Sequence, residues 1–176
     1  MIGKYKYTDK ELKKILKSVV ILVDKREKKN DHIIKYFNKN KIKHTPFTMN
    51  QGDYSFMLPQ NTDLLLHGDT YFHEDICIER KNSTDELIGN FANERTRMEN
   101  EFLRNKGKMY LLIEDEQFYK NISEGNYRSQ YSKKSALGTY HSFVNRYNIN
   151  SYFINKEQSG QMIYFICTYF LRELIK

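Results

Sequence analysis

Three acidic groups stand where short apolar runs end or begin: Asp24 with Glu27, Asp53, and Glu79, which is followed two places later by Lys81. These side chains suit a hard divalent cation. Magnesium takes oxygen ligands and keeps several waters, so two or three carboxylates from neighbouring strands are enough to hold it. Glu79 and Lys81 add a second element. Side chains two apart on a strand share a face, so one can ligate a metal while the other meets a water or a phosphate. Carboxylates alone describe a binding site; the lysine points to hydrolysis. A Glu-Arg-Lys triplet by itself is ordinarily a solvated charge run, and the weight rests on the combination.

The elements that must position these groups are readable in the pattern. Thr8 and Glu11 form a capping box ahead of Leu12, Ile15 and Leu16, which predicts a helix over 8–18. The uncharged, largely β-branched run 19–23 reads as a buried strand delivering Asp24-Lys25-Arg26-Glu27 to its end. Asn30 and Asp31 offer caps for a helix carrying Ile33, Ile34 and Phe37, and the chain returns through 42–49. Gly52-Asp53 opens an alternating strand, Tyr54, Phe56, Leu58, that stops at Pro59. Residues 64–66 turn at His67-Gly68-Asp69 and return through Ile76-Cys77-Ile78 into Glu79-Arg80-Lys81, as a hairpin would. Ser83 and Glu86 form a second capping box, opening one long helix to Gly107. A strand at 109–113, a helix at 131–147, a strand at 149–154 and a final helix at 158–175 complete the pattern. That last helix is apolar nearly all round, which suits either a deeply buried core helix or one that meets another subunit.

The chain of 176 residues, with 14 Tyr and 11 Phe, can bury a core without disulfides and reads as one domain. Its net charge of +7 is unevenly spread: +9 over residues 1–50, −7 over 51–126 and +5 over 127–176. An acidic middle between basic arms is what a polyanion-binding protein shows when it also holds a cation among carboxylates, although a lysine-rich surface also serves solubility. Cys77 and Cys167 suggest neither a disulfide framework nor a zinc site. With no apolar leader and no run of about 18 apolar residues, the expectation is a cytosolic protein, at the nucleoid or in a host cytoplasm if viral. His32, His44, His67, His73 and His141 show no zinc spacing, and no nucleophile elbow or Walker loop is present, which sets aside zinc-hydrolase, acyl-transfer and nucleotide-cofactor readings. An RNA-recognition module lacks its signatures here.

The motifs in chain order, VDKRE at 23–27, GDY at 52–54 and ERKNSTD at 79–85, resemble the nuclease domain of the XPF, Hef and Mus endonucleases. The resemblance runs over about residues 19–175, taking in Arg95 and the strand MYLLIED at 109–115. It implies a restriction-endonuclease-like α/β core, a central mixed β-sheet flanked by α-helices, with an inserted β-hairpin near 59–75. It implies a DNA endonuclease using Mg2+, with Mn2+ able to substitute, that cuts branched DNA in repair or recombination and leaves 5′-phosphate and 3′-hydroxyl ends. Asp53 and Glu79, with the Arg80 carbonyl, would hold the metal, and Asp24 and Glu27 would complete the acidic site directly or through water. Lys81 would orient or activate the attacking water, while Arg26, Arg80 and Arg95 would face DNA phosphates. Asp85 would hold Lys81 or its helix N-terminus.

Asp53 is preferred to Asp69 of the second Gly-Asp because it opens a strand, whereas Asp69 sits in a turn. Glu99 stands where many family members carry glutamine. The family's tandem helix-hairpin-helix domain is not found, which leaves the preferred DNA structure open. The family pairs its nuclease domains through their last helices, which implies a homodimer through 158–175. The rival reading is a non-catalytic nuclease-fold subunit that binds DNA or supports an active partner.

Overall fold

Thr8 starts the first helix as its sequence requires: the hydroxyl accepts from the Glu11 N–H at 3.3 Å, and the Glu11 carboxylate accepts from the Thr8 N–H at 2.8 Å. This computed structural model describes residues 7–61 and 67–175. They form α1 (Asp9–Ser18), β1 (Val20–Asp24), α2 (Asp31–Lys39), β2 (Lys43–Phe47), β3 (Tyr54–Leu58), β4 (Thr70–Tyr71), β5 (Ile76–Lys81), α3 (Thr84–Asn93), α4 (Arg95–Arg104), β6 (Lys108–Ile113), α5 (Phe118–Glu124), α6 (Lys133–Arg146), β7 (Ile149–Phe153) and α7 (Ser159–Ile175). Parallel and antiparallel pairings occur together, with helices between strands, so the architecture is the mixed α/β one expected. No helix among the described residues is long and apolar enough to cross a membrane.

Two compact units are distinguished. The first comprises Met1–Met49, Tyr54–His73 and Gly160–Lys176. Within it β1 pairs in parallel with β2, from Val20↔Lys43 to Asp24↔Phe47, and α2 makes the crossover that a parallel pair needs. On its other side β1 pairs antiparallel with β3, Val23 opposite Tyr54. Ile33 and Phe37 of α2, Ile21 of β1, Phe56 of β3 and Ile163, Cys167 and Leu171 of α7 are buried. Phe56 stacks on Phe72 at 4.4 Å and meets Phe170 of α7 edge-on at 6.2 Å. The other flank of α7 leaves Phe165, Tyr169 and Leu174 exposed, so this helix has a core face and an apolar outer face at once.

β4 returns antiparallel onto β3, Met57 opposite Tyr71 and Leu58 opposite Thr70, while the strand at 64–66 lies outside the described residues. Ile76–Lys81 is a parallel partner of β6.

The second unit comprises Asn50–Asp53 and Glu74–Ser159. Its strands β5, β6 and β7 are all parallel, with Glu79 opposite Leu111 and Leu111 opposite Ser151. Cys77 and the β6 residues Met109, Leu111 and Ile113 pack with Leu87, Phe91, Phe102, Phe118, Tyr140 and Phe143 in one apolar cluster. The long helix expected to Gly107 is broken into α3 and α4 at Glu94, whose φ of −130° leaves the helical region. The break is a packing solution: Phe91 of α3 and Phe102 of α4 both meet Phe143 edge-on, at 5.4 and 5.7 Å. α5 was not anticipated; it closes on Gly125 at a left-handed φ of 82°.

Candidate active site

Gly52 sits at φ +70°, in the left-handed region where a side chain is strained. A Cβ there would also lie 3.0 Å from the Cys77 Cβ. Glycine thus lets residues 50–53 run close along β5. Asp53 is then pinned to that strand twice: its N–H donates to the Ile78 carbonyl at 2.8 Å, and its carboxylate Oδ2 accepts the Arg80 N–H at 2.8 Å. This is the physical content of the Gly-Asp motif.

Strand alternation sets the rest. Glu79 and Lys81 share one face of β5, with Nζ donating to Oε1 at 2.7 Å and both residues buried. Burial alone would push the Lys81 ammonium toward the neutral form. The nearby charge of Glu79, its hydrogen bond, and the charges of Asp53 and Glu86 outweigh that and hold the pKa up at about 12. The same two carboxylates act on Cys77, whose thiol is raised to about 12 by burial first and then by Glu79 and Asp53. Asp53 and Glu79 therefore put their charge into one small volume. Among the described residues no group of three or more His, Cys, Asp or Glu side chains is arranged to hold a metal ion. A carboxylate pair fits magnesium, which is bound through one or two carboxylates and retains water, better than it fits a soft or fully caged metal.

Arg80 corrects the sequence reading. Expected on DNA phosphate, its side chain points to the other face of β5 and is buried, with Nη1 donating to Glu114 Oε2 at 2.8 Å. The period-two rule that puts Glu79 and Lys81 together already puts Arg80 opposite them. Asp85 sits in the first turn of α3, where its charge suits the helix N-terminus as expected, and it also accepts from the Arg128 N–H and Nε at 2.7 and 2.8 Å. Glu86 is the acidic residue beside Lys81, at 4.0 Å, and it accepts from the Asn82 N–H at 2.8 Å. Ser83 caps α3 through the Glu86 N–H. Glu86 was read from sequence only as a capping residue, and Glu114 and Ser159 were not identified; Glu114, following the apolar run of β6, carried a visible signal.

Asp24 and Glu27 belong to the first unit. Asp24 is buried, and its carboxylate accepts from the Arg26 N–H and Nε at 2.8 and 2.7 Å, from Arg26 Nη2 at 3.2 Å and from the Met49 N–H at 2.9 Å. Burial works to raise its pKa, but the Arg26 side chain, these N–H donors and the Arg26 charge hold it below the usual carboxylate value. So saturated a carboxylate anchors the loop after β1. Glu27 lies in that loop, accepting from the Lys29 N–H at 3.1 Å. Arg26 is largely exposed apart from this latch. Arg95 begins α4 on the surface of the second unit, paired with Glu99 at 3.3 Å, and Arg146 reaches the same Glu99 oxygen at 3.3 Å. Asp69 accepts the Gln60 N–H at 2.9 Å in an exposed turn.

A carboxylate pair and a buried ammonium at the end of a strand, on a mixed α/β framework, define the class of protein. The chain belongs to the ERCC4 domain family, whose model matches residues 23–166. Its fold is that of XPF from Aeropyrum pernix, matched at a TM-score of 0.62 with 14% identity over 88% of this chain. A structure of XPF from Aeropyrum pernix in complex with DNA matches at 0.59 with 11% identity, again over 88% of this chain. In both cases the chain spans 66% of the length of the protein it matches. No curated protein matches the sequence.

Proposed function

We propose that this chain is a magnesium-dependent endonuclease that hydrolyses phosphodiester bonds in branched DNA and leaves 5′-phosphate and 3′-hydroxyl ends. The observation that carries the reading is the Asp53, Glu79 and Lys81 constellation: two carboxylates on one volume, with a buried ammonium hydrogen-bonded between strand neighbours. Membership of the ERCC4 domain family supports it. The DNA in the complex of XPF from Aeropyrum pernix supports nucleic acid as the partner.

In this reading Asp53, Glu79 and the Arg80 carbonyl hold the cation. When bound, the metal supplies Lewis-acid polarisation of the phosphate and a more acidic water. The chain's own residues do the rest. Lys81, an ammonium throughout the working pH range, donates to the attacking water or to a phosphate oxygen and offsets charge that grows in the transition state. Arg26 and Arg95, both exposed, contact backbone phosphates and position the duplex. Asp24 and Glu27 shape the loop that carries Arg26. The exposed Phe165, Tyr169 and Leu174 of α7 are covered by the same face of a second copy.

The test is cleavage of labelled flap, fork, four-way, nicked and duplex DNA with Mg2+ or Mn2+, beside an EDTA control. Metal-dependent cutting that prefers a branched substrate supports the reading. Binding to DNA without cutting under either metal replaces it with a non-catalytic DNA-binding subunit. Sedimentation over a range of concentrations, with and without Phe165→Glu, decides the homodimer.

A further inference from the structure

We infer that Arg80, Glu114 and Ser159 form a positioning clamp that fixes the metal-holding peptide of β5 from the face opposite Glu79 and Lys81. The inference rests on the endonuclease reading for what the clamp serves, but its geometry stands apart from it. Glu114 grips β5 twice. Its N–H donates to the Lys81 carbonyl at 2.9 Å, and its Oε2 accepts from Arg80 Nη1 at 2.8 Å. Its other oxygen, Oε1, accepts from Ser159 Oγ at 2.6 Å. Arg80, Glu114 and Ser159 are all buried.

The clamp acts on the site through the backbone. The Arg80 N–H donates to the Asp53 carboxylate, and in the endonuclease reading the carbonyl of the same residue joins Asp53 on the cation. The orientation of the residue-80 main chain therefore sets Asp53 and the carbonyl together. With the guanidinium fixed on one side and the Lys81 carbonyl fixed next to it, that main chain has one orientation. A strand end held only by its ladder bonds would fray, since the last residues of an element open most readily. The Ser159 hydroxyl occupies the second oxygen of the ionised carboxylate that Arg80 needs.

A charge buried for packing alone is a poor investment in stability, because a well-packed apolar pair commonly replaces a buried ion pair without loss. That supplies the discriminating variant. Arg80→Met with Glu114→Leu removes both charges at once, whereas either single change strands a buried charge and threatens the fold. The double variant, Ser159→Ala and Arg80→Lys are compared with the wild type by thermal melting, Mn2+ titration calorimetry, Mg2+-dependent cleavage and amide hydrogen exchange over residues 79–82. The double variant is expected to melt close to the wild type, to bind Mn2+ about tenfold more weakly and to exchange the Arg80 amide faster. Ser159→Ala, with the ion pair kept, is expected to weaken Mn2+ about threefold with an unchanged melt. Arg80→Lys, which still offers Glu114 a cation, is expected to recover most of the affinity.

Wild-type Mn2+ affinity and wild-type amide exchange in both Ser159→Ala and the double variant would overturn the clamp. An unfolded double variant leaves the decision to Ser159→Ala and Arg80→Lys, which read the same quantities. If the wild type neither binds Mn2+ nor cuts DNA while the variants still exchange faster at residue 80, the clamp holds and the endonuclease reading fails.

Discussion

Lys81 Nζ lies 2.7 Å from Glu79 Oε1, two places back along the same strand, and 4.0 Å from Glu86 Oε1. A buried ammonium so placed competes with any divalent cation for the Glu79 carboxylate, yet it is the group best placed to meet charge developing on a phosphate. Lys81→Met should therefore separate binding from chemistry. Mn2+ affinity should rise several-fold as the competing cation goes. Single-turnover cleavage should fall by about 10²-fold or more, the usual size for loss of a charge-stabilising donor. Unchanged cleavage would remove Lys81 from the mechanism.

The pKa of Lys81 carries a second consequence. Its folded value, about 12, is raised above the usual 10.5 of a lysine. The stability it contributes is thus fully present below pH ~10.5 and is lost as pH rises through ~12. In the metal-free protein, denaturant melts should show no loss of stability from Lys81 below about pH 10. A loss of stability near pH 8 that vanishes in Lys81→Arg would contradict this assignment.

The two Gly-Asp motifs give the sharpest contrast. Asp53 is fastened to β5 through the Ile78 carbonyl and the Arg80 N–H, while Asp69 does no more for the site than accept the Gln60 N–H in an exposed turn. Asp53→Asn keeps size and an acceptor for Arg80 but removes the charge, so it should abolish metal binding and cutting in a folded protein. Asp69→Asn should match the wild type in both. The reverse pattern, measured by calorimetry and cleavage, would move the site to the turn.

The strands and their charged ends were legible because alternation and short apolar runs are local signals. Val20–Asp24, Tyr54–Leu58 and Ile149–Phe153 fall where the pattern put them. The same alternation contained the fate of Arg80, which a resemblance to phosphate-facing arginines obscured. What stayed hidden depends on distant partners. The break at Glu94 exists so that Phe91 and Phe102 can share Phe143. α5 buries only Phe118 and Ile122, and Gln117 gives it no side-chain cap. Glu114 and Ser159, 45 positions apart, meet only once the chain has folded.

Asp24 supplies an acid-stability test. Its folded pKa is below the usual 3.8 of an aspartate because Arg26 and the Met49 N–H hold the ionised form against the effect of burial. Its contribution is present above pH ~4 and lost as pH falls through the depressed value. Asp24→Ala leaves the buried Met49 N–H without its carboxylate and releases the Arg26 latch, a loss of about 2 kcal/mol at neutral pH. Denaturant melts at pH 7 and pH 3 should show the variant's deficit shrinking at the lower pH. A deficit that is the same at both would mean that Asp24 acts by packing alone.

Salt tests the partner. Asp24 is followed by Lys25, Arg26, Lys28 and Lys29, all exposed, on the loop its carboxylate anchors. Phosphate contacts release counterions, so log affinity for duplex DNA should fall linearly with log salt at a slope of about −0.9 per phosphate neutralised. Lys28→Ala with Lys29→Ala should weaken binding to all sequences alike and flatten that slope by about 1 to 2. Cleavage measured at saturating DNA should be unchanged, since neither lysine belongs to the Asp53, Glu79 and Lys81 centre. A double variant with the wild-type slope would place the DNA track on another part of the surface, with Arg95 at the head of α4 as the next residue to remove.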